Sequence, residues 1–128
     1  MGSKAYEHDT ERLGRILPFW QHRLGLDNWE IQQTFLDTIE GDNASTMAET
    51  DAQWQYESAT IKWYLPTIAG HSDERIEQTL VHELVHVLLS PMDDATRGKD
   101  EQCELTVERV SRTLWRAWGT VEGMVLSG

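Results

Sequence analysis

Two histidines and a glutamate stand in the segment His82-Glu83-Leu84-Val85-His86, and on a helix that spacing has a definite chemical use. Positions four apart share one helical face, so both imidazoles can reach a single ion. Zinc accepts a neutral imidazole nitrogen at about 2.0–2.1 Å, and two such ligands one turn apart suit tetrahedral coordination. Glu83 directly follows the first histidine, so its carboxylate can meet a water on the metal without coordinating the metal itself. That is the position of a general base. The ion would lower the pKa of such a water towards about 7 and polarise a scissile carbonyl. The competing reading is a pair of hydrogen-bonded core histidines. Against it, both histidines and the glutamate fall in the most apolar helical stretch of the chain, where burying them without a purpose is costly.

A catalytic zinc site normally holds three protein ligands and a water. Candidates for the third lie downstream, in Glu101-Gln102-Cys103-Glu104-Leu105-Thr106-Val107-Glu108. Helix phase ranks Glu104 first, because Val107 and Val110 follow it on an inward-facing stripe. Glu108 comes second and Cys103 third. One turn beyond Glu104, Glu108 is also placed to accept the other ring N–H of His82, the support that orients a metal-bound imidazole.

These side chains need two helices and a scaffold to hold them. Ser72-Asp73-Glu74 opens the first helix with an N-cap followed by two acids at the positive end of the helix dipole. Ile76, Leu80, Leu84 and Leu88 give that helix its apolar stripe, and Ser90-Pro91 ends it. Met92–Lys99 reads as a polar loop. A last helix is expected over residues 100–118, with Val107, Val110, Leu114 and Trp118 inward. Upstream, residues 5–24 form a helix on Leu13, Ile16, Leu17, Trp20 and Leu24, with Pro18 a candidate kink. Strands are expected at residues 29–36, 45–50 and 58–65, with turns at Gly41-Asp42-Asn43 and around Asp51–Glu57. The sum is one α+β domain spanning residues 1–128: an N-terminal helix, a small twisted antiparallel sheet of about three strands, and two C-terminal helices.

Bulk properties narrow the partners. Net charge is −11, with 22 acidic residues against 11 Lys and Arg, which disfavours nucleic acid and anionic membrane surfaces. The single cysteine, Cys103, excludes an intrachain disulfide and fits a reducing compartment. The stretch MGSKAYEHDTERLGR lacks the apolar core of a secretory signal, and no apolar run approaches the roughly 18 residues of a membrane span, so a cytoplasmic location is expected.

His82-Glu83-Leu84-Val85-His86 together with Glu104-Leu105-Thr106-Val107-Glu108 resembles the paired motifs of gluzincin-type zinc metallopeptidases. The order of elements over residues 29–118 is similar to that of minigluzincins and of small metallopeptidase-like proteins of phages and prophages. The resemblance implies zinc held by His82, His86 and Glu104, Glu83 as general base and acid, and Glu108 behind His82. It also implies a polypeptide substrate aligned by β-pairing along the sheet edge, taken as Ser58–Leu65. The chain departs from metzincins, since Val87-Leu88-Leu89-Ser90-Pro91-Met92 holds neither their Gly nor their third His. It also offers no assured counterpart of an oxyanion-stabilising residue; Tyr64 and His71 are near in sequence, but each reads better as an ordinary strand or surface residue.

The leading expectation is therefore zinc-dependent hydrolysis of peptide bonds in an extended polypeptide. A zinc-containing, non-catalytic peptide-binding domain is the alternative, and a purely structural metal or core-histidine site the third. The uncharged end Gly123–Gly128 raises the further option of a tail lying in the cleft, beside the plainer one of a frayed terminus.

Overall fold

The computed structural model describes residues 6–38, 46–95 and 100–121. The turn expected at Gly41–Asn43 and the tail Gly123–Gly128 lie outside them. The first helix, α1, runs Glu7–Arg23 and continues through Pro18. Its stripe of Leu13, Ile16, Leu17 and Trp20 is buried as the spacing requires. The helix closes on Gly25 in the left-handed region (φ +71°), with Gly25 N–H bonding to His22 O at 3.1 Å and Leu26 N–H to Gln21 O at 2.9 Å. This paired closure needs a residue without a Cβ at that φ.

Three strands follow: β1 (Glu30–Leu36), β2 (Ala48–Gln53) and β3 (Ser58–Tyr64). Their order is β1-β3-β2, and the sheet is mixed rather than antiparallel. β1 lies parallel to β3, from Glu30 opposite Ser58 to Leu36 opposite Tyr64, while β2 lies antiparallel to β3. The expectation that Ser58–Leu65 is the edge strand is therefore corrected. β3 is bonded on both sides, and no peptide can add to it. The reason is in its side chains: Ala59, Ile61, Trp63 and Tyr64 are all buried, whereas β1 and β2 alternate half-buried and exposed residues. The most apolar strand takes the centre and the amphipathic ones take the edges.

β2 also begins and ends later than the expected 45–50. Ala48, Thr50 and Ala52 turn inward while Glu49, Asp51 and Gln53 face solvent, a two-residue alternation whose polar half reads as a turn. A 3-10 turn at Trp54–Tyr56, completed by Glu57 at φ +50°, reverses the chain into β3. Pro66 ends β3 by starting a short helix, α2 (Leu65–Ile68), where a proline in the first turn costs no hydrogen bond.

α3 (Asp73–Leu88) is capped by the Ser72 hydroxyl, which accepts from Arg75 N–H at 3.1 Å. The expected loop from Met92 is instead partly helical: α4 (Ser90–Ala95) restarts the helix, with Pro91 tolerated in its first turn. α5 (Asp100–Trp118) completes the fold. α3 lies between α1 and α5 and also packs on β2. Among the described residues, no helix is long and apolar enough to cross a membrane.

One polar centre ties these helices together. The Glu77 carboxylate of α3 has no solvent exposure. It accepts from Arg12 Nη2 at 2.6 Å, Trp20 Nε1 at 2.7 Å, the Thr120 hydroxyl at 2.6 Å and Val121 N–H at 3.0 Å. Arg12 is itself buried and donates a further bond to Asp73 O at 2.9 Å. Beside this centre Trp20 stacks on Trp115 at 6.0 Å, and the Arg23 guanidinium lies 4.6 Å above the Trp20 ring while bonding Gly119 O at 2.9 Å. Removing one member of a buried pair strands the other, at a cost of about 3–5 kcal/mol. Glu77→Ala is therefore expected to lower the urea-unfolding free energy by that amount. A loss below about 1 kcal/mol would mean the centre carries little of the fold.

Candidate metal centre

α3 presents two faces with different tasks. Ile76, Glu77, Leu80, Val81 and Leu84 are buried in the core, while His82 and His86 emerge on the other side, one turn apart. Their rings stand edge to face, centroids 5.1 Å apart and planes at 71°. α5 passes in front of them. Glu104 Oε1 lies 2.9 Å from His86 Nε2, and Glu104 Oε2 lies 3.5 Å from His82 Nε2. Two Nε2 atoms and one carboxylate thus converge on a single point, and the three ligand atoms lie within 4.8 Å of one another.

Tetrahedral ligands at zinc distances stand roughly 3.3 Å apart, and the 2.9 and 3.5 Å separations between Glu104 and the two Nε2 atoms bracket that value, so the donor set is compatible with such an ion. Two neutral nitrogens and one carboxylate also match a borderline metal better than calcium or magnesium, which prefer oxygen. The side chains of His82 and His86 are 22% and 25% exposed and that of Glu104 is 59% exposed, so the point of convergence faces solvent and leaves room for a further ligand.

The two acids of α5 take different positions against the histidines. Glu104 meets both Nε2 atoms, whereas Glu108 Oε2 lies 3.2 Å from Nδ1 of His82, on the far side of the ring. A proton held on Nδ1 by that carboxylate leaves Nε2 as the lone-pair donor. Arg112 Nη2, 3.3 Å from Glu108 Oε1, holds the same carboxylate from behind. Cys103 is not part of the converging set.

Glu83 is 7% exposed and points towards the sheet. The Thr50 hydroxyl of β2 donates to its Oε1 at 2.6 Å. Burial pushes the Glu83 carboxyl from its ordinary 4.5 up to about 7; the Thr50 hydrogen bond opposes the rise, and the nearby charges of Glu104 and Glu49 add to it. Thr50 was not singled out from the sequence, although its signal was there: it is the middle inward position of a strand with small neighbours, Ala48 and Ala52. Tyr64 is buried at the end of β3, His71 is exposed, and neither lines the clefts beside the site.

Two clefts flank the histidines. One runs between α3 and α5 past His82 and Glu83, and the other lies beside His86 against Thr50–Gln55 and Ser90. β2, which among the described residues pairs on one side only, borders both. A second group within ligand distance, His8, Asp9 and Asp73, lies towards solvent. There His8 already bonds Asp73 at 2.9 Å and the Arg12 guanidinium stands beside the same carboxylate, so that carboxylate is engaged by protein groups.

No family model, curated protein or solved structure matches this chain. The site therefore rests on its own geometry.

In metal-free protein the raised Glu83 pKa has a signed consequence. Below pH 4.5 the group is protonated in both folded and unfolded chains and contributes nothing. Between there and about 7 only the unfolded chain ionises, so folding stability falls as pH rises. The loss, complete above about 7, is on the order of 3 kcal/mol. Glu83→Gln is expected to flatten this slope in chelator-treated protein, measured by denaturant unfolding across pH 4–8. An unchanged slope would place the titration elsewhere.

Proposed function

We propose that this chain is a zinc-dependent peptidase acting on extended polypeptide, similar in its site to gluzincin-type enzymes. The observation that carries the reading is the convergence of His82 Nε2, His86 Nε2 and Glu104, with Glu108 on His82 Nδ1 and Glu83 in the adjacent cleft. A structural zinc is normally closed by four protein ligands. The solvent-facing arrangement of three ligands with a neighbouring carboxylate supports catalysis instead.

Zinc held by the three ligands would supply Lewis acidity, making a water more acidic and a carbonyl more electrophilic. The protein's own groups then have distinct tasks. Glu83 takes a proton from the attacking water as its oxygen bonds to the carbonyl carbon. It returns that proton to the amide nitrogen as the C–N bond breaks, so one group serves as base and then acid. A carboxyl with a pKa near 7 suits both directions, and presence of a cation would bring it lower. Thr50 fixes the orientation of the carboxylate, and Glu108 with Arg112 fixes the ring of His82. The outer backbone of β2, which borders both clefts and has no strand partner among the described residues, offers an extended substrate its hydrogen bonds.

The decisive experiment compares zinc-loaded and chelated protein on an unstructured polypeptide. Cleavage is expected with zinc, lost on chelation and restored by zinc; Glu83→Gln should retain about one zinc per chain while kcat falls at least a hundredfold. Bound zinc with no cleavage by the wild type would reduce the proposal to peptide capture, and no bound zinc would end it. In parallel metal titrations Glu104→Ala is expected to weaken zinc binding far more than Glu108→Ala, whose loss should be about 10–100-fold. The reverse order would exchange the roles of the two acids.

A further inference from the structure

The cleft between α3 and α5 is a cavity of ≈ 420 Å³, and it opens off the candidate metal centre, since His82, Glu83 and Glu108 form one end of its wall. Two arginines also line it. Arg75 enters from α3, two turns before His82 and so about 10 Å away along the helix axis. Arg112 enters from α5, one turn beyond Glu108.

Two guanidinium groups in one cavity are notable in a chain with 22 acidic residues and only 11 Lys and Arg. Two other arginines have structural work: Arg12 is bound to Glu77, and Arg23 lies over Trp20 and bonds Gly119 O. Arg112 is partly balanced by Glu108 at 3.3 Å. Arg75 differs. Its backbone N–H closes the cap of α3, but among the described residues no carboxylate lies within 4.0 Å of its guanidinium. The nearest acid along the chain, Glu74, is held by Gln78 at 3.4 Å.

The electrostatics of the cavity are therefore graded. At the metal end Glu108 faces His82 and Arg112, and Glu83 is tied to Thr50. Farther along α3 the exposed Arg75 lines the cavity, and among the described residues no carboxylate pairs with it. A guanidinium of this kind binds a carboxylate through two parallel N–H···O bonds, a geometry that water reproduces poorly. The volume is ample for one carboxylate-bearing residue beside a peptide lying along β2.

We propose that this cavity is a carboxylate-accepting subsite, with Arg75 as its principal contact and Arg112 as its second. The assignment rests on the reading of the neighbouring site as a peptide-binding zinc centre. It narrows the substrate class to polypeptides carrying, at one fixed distance from the scissile bond, an Asp or Glu side chain or their own terminal carboxylate.

The test uses zinc-loaded full chain and matched peptides in which single positions change from Gln to Glu, each made with a free and an amidated C-terminus. Cleavage products are mapped by mass spectrometry, and equilibrium binding of the same peptides is measured by fluorescence anisotropy. An acid at one position, or a free terminus, is expected to improve both KM and binding by about tenfold. Dependence on the Glu series identifies a side chain, and dependence on amidation identifies the terminus. Arg75→Ala should abolish the preference, Arg75→Lys, which keeps the charge but not the two-pronged geometry, should retain only a small part of it, and Arg75→Glu should shift it to Lys-containing peptides. Indifference to Glu, Gln and amidation, or a preference that survives Arg75→Glu, overturns the subsite. Absence of cleavage would count against the peptidase reading alone, because the binding arm still decides the subsite. Failure of the folded protein to bind any of the peptides overturns it too.

Discussion

The carboxylate of Glu77 is the constraint on which the positions of the other helices depend. It sits in the core with no exposure, and four donors meet it: two from α1, and two from the segment just after α5. A buried charge is tolerated only when its partners are complete and well aligned. The packing that completes them has little freedom, since the Arg12 and Trp20 donors require α1 at one angle to α3, and Thr120 and Val121 require the end of α5 to arrive at the same point. The Trp20–Trp115 stack and the Arg23–Gly119 bond reinforce the second of these relations. α5 is thereby anchored at its C-terminal end and laid along α3, which brings Glu104 and Glu108 to the histidines. A polar centre of this kind specifies a geometry more than it adds stability.

That division of labour explains the composition of α3. One side of the helix carries Glu77 among Ile76, Leu80, Val81 and Leu84, and the other carries His82 and His86. Glu83 lies between the two, buried from solvent but turned to the Thr50 hydroxyl. Its raised pKa in metal-free protein expresses a local conflict, a carboxylate held where water is excluded and where Glu104 and Glu49 repel it. Such conflicts concentrate at functional sites, because the environment that disfavours the charged form also tunes it for proton transfer. A cation seated between the histidines would relieve the repulsion from Glu104 first, since that carboxylate becomes a ligand.

The local parts of this molecule were legible in the sequence. The spacing of His82, Glu83 and His86, the cap at Ser72 and the stripe of α1 are properties of single helices, and each appears where its pattern put it. The pairing of Glu104 with the two Nε2 atoms and of Glu108 with Nδ1 follows helix phase, because the two acids are one turn apart on one face. Features that depend on two distant segments were hidden. Glu77 and Arg12 read as ordinary helix-surface charges until α1 and α3 are packed together, at a separation of 65 residues. Thr50 reads as a neutral strand residue until β2 lies beside α3. The strand order was missed for a related reason: alternation defines a strand's faces and says nothing of its neighbours. The richness of β3 in buried aromatic and aliphatic side chains was the available clue to its central place.

The corrected strand order strengthens the connection between sheet and site. With β3 enclosed, the edge next to α3 belongs to β2, whose inward side chains include Thr50 and whose outer backbone has no strand partner among the described residues. One strand then has two roles in the proposed reading: through a side chain it sets the orientation of Glu83, and through its backbone it would offer hydrogen bonds to an extended peptide. The parallel pairing of β1 with β3 makes this possible. It fills the other side of β3 and leaves β2 as a single-sided edge, held in register by its antiparallel bonds from Ala48–Trp63 to Gln53–Ser58. A peptide added to that edge would inherit the same register. Its carbonyls would then fall at fixed distances from Glu83 and from the point where His82, His86 and Glu104 meet, so that in the proposed reading the positioning of a substrate and of the base would share one structural origin.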